Sequence, residues 1–238
     1  MLDFSKFQYL TFDCYGTLID WEAGILSAVL SVLKNHKLTV TNDEILATYA
    51  ELESAAEQAE YMPYRQVLRL VMRGLGEAFG FTPDDRELHA LENSLPSWPA
   101  FPDTVDSLQR LAARYELCIV SNTDDDLFAE TEYTLTGGAA AEHSFSFAHV
   151  ITAEQCRSYK PSLTNFATAL ERIGTGTSKV LHVAQSLHHD IAPARSIGLS
   201  TVWVNRRKGK AGTGATKAAT AVPDLEVPDL KTLSELAI

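Results

Sequence analysis

An aspartate, Asp13, closes the apolar, β-prone run Tyr9-Leu10-Thr11-Phe12, and the turn Cys14-Tyr15-Gly16-Thr17 follows at once. A buried strand that ends on a carboxylate presents the acid at the edge where open α/β sheets place their ligands. Desolvated on one side and held by backbone amides, such a group can act as a nucleophile. The same aspartate can also serve simply as a cap for the next segment. Gly16 permits the tight turn, and Thr17 offers a hydroxyl to the loop or to a bound group. Further polar groups follow later apolar runs: Ser121 and Asn122 after residues 117–120, Lys160 in Tyr159-Lys160-Pro161 after 147–151, and Gln185, Ser186 and Asp190 after 180–184. A nucleophilic acid, a hydroxyl and amide pocket, a lysine and a second acid form a coherent hydrolytic set. Taken singly, Ser121-Asn122 reads as a turn and Lys160 as a solvated charge.

For these groups to meet, the runs that carry them must be parallel strands of one sheet. The spacing predicts strands at 7–12, 117–120, 147–151, 180–184, 201–204 and 224–227, with helices at 103–114, 125–135, 163–173, 191–197 and 229–236. Strands alternating with helices of this length imply right-handed crossovers and a doubly wound, Rossmann-like parallel sheet. Between Trp21 and Asn93 the period is helical throughout. One stripe is Ile25, Val29, Val32 and Leu33; a second, behind the capping sequence Thr41-Asn42-Asp43-Glu44, is Ile45, Tyr49, Leu52 and Ala56. A third is Val67, Leu70, Val71 and Leu75, and Leu88 with Leu91 makes a short fourth; Pro63 and Pro83 mark joins. Such a block is far longer than an ordinary crossover. It reads as a helical subdomain, residues 18–97, inserted over the carboxyl end of strand one into a core formed by 1–17 and 98–238.

A chain of 238 residues with 45% hydrophobic and 21% charged residues is an ordinary globular composition. A net charge of −11 argues against nucleic acid or an anionic membrane as partner. Cys14, Cys118 and Cys156 lack metal-ligand spacing and read as reduced thiols of a cytoplasmic protein, with Cys14 on the strand face opposite Asp13. The N-terminus carries no signal-peptide pattern, and no apolar run approaches membrane-spanning length. His182 reads as a satisfied core residue and His188-His189 as structural or solvated. Tyr61, Tyr64 and Trp98 fall where the insert meets the core, Asp124-Asp125-Asp126 reads as the cap of the following helix, and the basic stretch 206–221 as a surface loop.

The motifs Asp13-Cys14-Tyr15-Gly16-Thr17, Ser121-Asn122, Tyr159-Lys160-Pro161 and Gln185…Asp190 together resemble those of the haloacid dehalogenase-like hydrolase superfamily. Tyr15, where the phosphatase members carry a second aspartate, and Trp203-Val204-Asn205-Arg206 are similar to the L-2-haloacid dehalogenase branch. The resemblance implies that 18–97 is the family's helical cap. It also implies that Asp13 displaces halide from a short, anionic 2-haloacid to form an ester that water hydrolyses, with no metal. Lys160 would hold Asp13 ionised, Asp190 would orient the water or pair with Lys160, and Ser121 and Asn122 would bind the substrate carboxylate or position Asp13. Tyr15, Thr17, Tyr64 and Ser186 complete the expected substrate pocket, and a homodimer is common in that branch.

Several positions depart from the pattern. Residues 41–60 contain no Arg or Lys where those enzymes place a cap arginine, so Arg65 or Arg69 is the expected replacement. Phe166 stands for a tyrosine, Gln185-Ser186-Leu187 for Ser-x-Asn, and His189 for an aromatic residue. Two readings stand beside dehalogenation. One is a Mg²⁺-dependent phosphatase holding its metal through Asp13, the Tyr15 carbonyl and Asp190. The other is an inactive binding protein.

Overall fold

A computed structural model describes residues 2–137, 145–209, 212 and 214–238. Its centre is a parallel sheet of six strands: β1 Tyr9–Phe12, β2 Glu116–Ser121, β3 His149–Thr152, β4 Val180–Ala184, β5 Ser200–Val204 and β6 Leu225–Val227. Their order is β3-β2-β1-β4-β5-β6, so the strand that ends at Asp13 lies between β2 and β4. β4 is buried at every position and β2 at all but its first, as expected of strands covered on both faces. The observed edges differ from the sequence periods by a residue or two. The expected helix at 191–197 is a wide π turn, Leu187–Ile191, running into a short α-helix.

The helices, in chain order, begin with α1 Trp21–Asn35, α2 Asn42–Glu57, α3 Tyr64–Phe79, α4 Asp85–Leu88 and α5 Ala90–Ser94. All five lie between β1 and the return of the chain to the sheet. Then come α6 Thr104–Ala112, α7 Asp125–Leu135, α8 Ala153–Cys156, α9 Leu163–Ile173, α10 Ala192–Ser196 and α11 Leu230–Ala237. The two connections of the insert run side by side: Ile19 bridges to both Tyr15 and Ala100, and Phe101 N donates to Leu18 O. Gly24 of α1 leaves the space that the Trp98 indole occupies on the returning segment; a Cβ there would overlap the ring.

The expected apolar stripes need two corrections. Leu70 is exposed, because α3 turns Val67, Leu68, Val71 and Leu75 inward. On α2 the buried face is Ile45, Leu46, Tyr49, Ala50, Glu53 and Ser54, with Leu52 and Ala56 only partly buried. That rotation brings two acids toward the core. Among the described residues no helix is long and apolar enough to cross a membrane.

Candidate active site

Asp13 follows β1 directly, and its backbone N–H donates to Val183 O of β4. Gly16 turns the chain away at a positive φ of 92°, where a Cβ would press on the Trp21 indole and the Gln185 amide. The Asp13 carboxylate is fixed at both oxygens: Thr17 Oγ1 donates to Oδ2 at 2.6 Å and Lys160 Nζ to Oδ1 at 2.8 Å. Thr17 also accepts from Gln185 N, tying the β1 and β4 loops together. Cys14 packs on the opposite side, fully buried, and burial pushes its thiol up.

Lys160 is buried and spends its ammonium on three acceptors: Asp13 Oδ1 at 2.8 Å, Asp190 Oδ1 at 2.7 Å and Val120 O at 2.8 Å. Burial alone would lower its pKa, but the two carboxylates outweigh it and raise it. Burial also works against the charge on Asp190, yet the Lys160 ammonium and His182 overcome it and bring that carboxyl down to about 2. At Asp13, desolvation raises the pKa against the pull of Lys160 and the Thr17 bond. His182, expected to be a satisfied core residue, is one: it sits in β4 between Thr11 Oγ1 at 2.9 Å and Asp190 Oδ1 at 3.1 Å. Its partner makes it a support of the site. The other oxygen of Asp190, Oδ2, is buried and has no hydrogen-bond partner, and neither has Ser121 Oγ.

Asn122 is committed to positioning. Its Oδ1 accepts from Lys160 N at 2.7 Å, and its Nδ2 donates to Lys160 O and to Glu57 Oε1, each at 3.1 Å. Tyr15 gives its ring to the cavity and stacks edge-on against Trp98, while its phenol bonds Thr131 Oγ1 at 2.9 Å. Ser186 Oγ accepts from His189 N and starts the π turn that carries Asp190. His189 faces the cavity, contrary to its expected structural or solvated role, and burial pulls its imidazole down to about 4, so it is neutral at pH 7.

The cavity over Asp13 is about 30 Å³, room for a water molecule or two. Asp13, Tyr15, Tyr64, Ser121, Asn122, Lys160, Ser186 and Asp190 all line it. Thr17 stands just behind Asp13. Arg65 does not line it: its guanidinium bonds Asp126 on the surface at 2.7 Å. Arg69 is held by Glu92 through Nε and Nη2. Neither arginine replaces the missing cap cation.

In that place α2 brings Glu53 and Glu57, which sequence reasoning passed over. Glu53 Oε1 accepts from Tyr64 Oη at 2.6 Å and Tyr49 Oη at 2.9 Å. Burial, with Asp13 nearby, lifts its carboxyl to about 7 despite those bonds. Burial and the charge of Glu53 push Glu57 well above the carboxylate range. The available signal was the i, i+4, i+8 spacing of Tyr49, Glu53 and Glu57, which puts both acids on the edge of α2 that carries a buried aromatic.

The contact between insert and core also departs from expectation. Asp124 does not cap α7 with its side chain. Its carboxylate accepts from the N–H groups of Tyr64 at 2.7 Å and Arg65 at 3.0 Å, the first turn of α3. Pro63 precedes that helix and offers no capping side chain, so the core supplies the cap. Tyr159 Oη donates to Met62 O, and its ring stacks on Tyr61. Of the basic stretch 206–221, positions 210, 211 and 213 lie outside the described residues. Arg206 and Arg207 turn inward, Arg206 to Asp103 and Thr17 O, Arg207 to Glu22.

Magnesium calls for hard oxygen ligands in octahedral array. Asp13 and Asp190 each have Oδ1 bound to Lys160, and the next position at the strand edge is the Gln185 amide, whose Oε1 accepts from Thr216 Oγ1. Among the described residues no group of three or more His, Cys, Asp or Glu is arranged to hold a metal ion. Lys160 thus competes for both aspartates, and position 185 adds an amide where a third carboxylate would stand.

Sheet order, insert and the position of the acids define a Rossmann-like α/β protein with a helical unit over the strand ends. The family model described as haloacid dehalogenase-like hydrolase matches residues 10–204, and the chain belongs to that family. Among curated relatives it is 24% identical over 205 residues to an (S)-2-haloacid dehalogenase of Pseudomonas fluorescens, covering 85% of this chain and 86% of that one. It is also 24% identical over 248 residues to 5-amino-6-(5-phospho-D-ribitylamino)uracil phosphatase YigB of Escherichia coli K12, covering 97% and 96%. Among solved structures, L-2-haloacid dehalogenase from Xanthobacter autotrophicus with chloropropionic acid covalently bound aligns with a TM-score of 0.75 at 21% identity, covering 97% of this chain and 98% of that one.

Proposed function

We propose that this hydrolase displaces halide from a small 2-haloacid through an ester on Asp13. The observation that carries the reading is the conduct of Tyr15. It occupies the place of a second acid, its phenol is turned away to Thr131, and burial pushes that phenol far above neutral pH. Position 15 therefore offers no proton to a leaving group in the displacement step, and halide needs none.

In this reading Lys160 and Thr17 aim the Asp13 carboxylate and offset its charge. A carboxylate oxygen bonds to the carbon as the carbon–halogen bond breaks, and halide leaves with the electron pair. Ser121 Oγ, buried and unpartnered, is a donor for the substrate carboxylate. Water at the unpartnered Oδ2 of Asp190 then gives one proton to Asp190 as its oxygen adds to the ester carbonyl of Asp13. The acyl–oxygen bond breaks, the departing alkoxide takes that proton from Asp190, and the water's second proton leaves to solvent. The hydroxy acid departs, and Asp13 is regenerated.

Halide release from 2-chloro and 2-bromo acids, run with EDTA and with Mg²⁺ beside a phosphate ester, tests this reading. EDTA-insensitive halide release that disappears in Asp13→Asn supports it. Magnesium-dependent phosphate release would favour the phosphatase reading that the Escherichia coli relative suggests.

A further inference from the structure

The insert side of the cavity is acidic, and its acids lack counter-ions. Glu53 and Glu57 lie one turn apart on α2, both buried, and both line the cavity with Asp13 and Asp190. Lys160, the cation of that cavity, has its ammonium protons committed to Asp13, Asp190 and a carbonyl. Among the described residues no Lys or Arg pairs with Glu53 or Glu57; the nearest basic group is His189, 3.8 Å from Glu57 and held neutral. Glu53 has two phenols and Glu57 an amide as hydrogen-bond partners, but neither has a cation. A buried carboxylate without a counter-ion is costly, so their charge is left to be met by what enters the cavity.

Two further observations point to a ligand. Ser121 Oγ and Asp190 Oδ2 are buried, face the same cavity and bond to nothing. Three aromatic residues, Trp21, Tyr15 and Tyr64, line the same cavity as the glutamates. Carboxylates flanked by π faces are the chemistry that recognises an alkylammonium group. Among the described residues Lys160 is the cation of this cavity and is already spent. An ammonium group entering beside Glu53 and Glu57, whose carboxyls burial holds toward the protonated form, would favour their charged forms.

We propose that the substrate of this site carries a protonated amine, seated between Glu53 and Glu57 against Trp21 and Tyr64. This deepens the dehalogenase reading: the substrate becomes a zwitterion, its carboxylate toward Ser121 and its ammonium toward α2. The cavity as it stands has room for a water molecule or two, so entry of such a substrate requires the insert to give way.

The first experiment needs no turnover, so it succeeds or fails independently of the chemistry at Asp13. Ethylammonium and propionate are titrated into the intact protein and followed by calorimetry and tryptophan fluorescence. Ethylammonium binding that exceeds propionate binding, and weakens roughly tenfold or more in both Glu57→Gln and Glu53→Gln, is the expected result. Gln at 53 still accepts from the two phenols, and circular dichroism verifies that each variant is folded. Propionate binding more tightly than ethylammonium, no ethylammonium binding at all, or binding unchanged in both folded variants would each overturn the proposal. In a second arm, 2-chloropropionate is compared with 2-chloro-3-aminopropionate. The amine-bearing acid should show the higher kcat/KM, and that preference should vanish in Glu57→Gln; an equal or reversed preference contradicts the proposal.

Discussion

The two walls of the cavity are built on opposite principles. On the core side every charge is answered: Asp13 and Asp190 share Lys160, Thr17 holds Asp13, and His182 holds Asp190. On the insert side Glu53 and Glu57 have phenols and an amide but no cation. A paired network fixes geometry in advance, which is what a reaction common to many substrates needs. An unpaired one leaves a charge to be met by whatever binds. Under the proposed function the core wall carries the reaction, and the insert wall the choice of substrate.

The contrast breaks most visibly at Asp13. Asp13→Asn should lower kcat by about 10³-fold or more while leaving the melting temperature unchanged or raised, measured by product release and calorimetry. Next comes Lys160→Met, which strands two buried carboxylates. A loss of about 3–5 kcal/mol in urea unfolding, together with loss of activity, is expected. If the variant were as stable as the parent, the core network would not be the paired structure described.

The insert wall makes the opposite prediction in pH. Glu53 has its folded pKa raised from 4.5 to about 7, so folding favours its protonated form. Its contribution to stability is present below pH 4.5 and is lost as pH rises through about 7. Asp190 behaves inversely. Its folded pKa lies below the ordinary 3.8, at about 2, and its contribution holds above pH 3.8 and is lost as pH falls toward 2. Urea unfolding between pH 5 and 8 should therefore show a declining stability whose slope is shallower in Glu53→Gln, with Glu57, also raised, carrying the remainder. An unchanged slope would mean that Glu53 is not the buried acid the structure shows.

Smaller effects belong to the seam between the walls. Asp124→Ala removes the cap of α3 and should cost about 1 kcal/mol. It should also raise KM more than it lowers kcat, because α3 carries Tyr64 into the cavity. Arg65→Ala, whose partner Asp126 is exposed, should cost less than about 1 kcal/mol and leave KM unchanged. A tenfold rise in KM would return Arg65 to the site.

The same division governs what was legible in the sequence. Asp13 and Ser121 sit where an apolar strand ends, Lys160 and Asp190 in the segments that follow β3 and β4, and a parallel sheet brings these segments to one edge. Asp13, Ser121, Lys160 and Asp190 could thus be placed by pattern alone. Helix faces are decided by partners distant in the chain. Periodicity put Leu52 and Ala56 on the inner stripe of α2, whereas packing rotates the helix so that Glu53 is buried and Glu57 reaches the cavity. Asp124 reads locally as the cap of its own helix, and only the fold shows the start of α3 lying closer to its carboxylate. His182 was recognisable as a core histidine, but its bond to Asp190 depends on the turn that follows β4.

Covalent chemistry at Asp13 is tested most directly by a single turnover in H₂¹⁸O. Excess protein is mixed with a substrate taken from the halide-release panel, and both the product and the peptide containing Asp13 are weighed by mass spectrometry. An ester hydrolysed at its carbonyl leaves ¹⁸O in Asp13 and ordinary oxygen in the first-turnover product. Label in the product with none in Asp13 would mean that water attacks the substrate directly, and the nucleophile assigned here would be wrong.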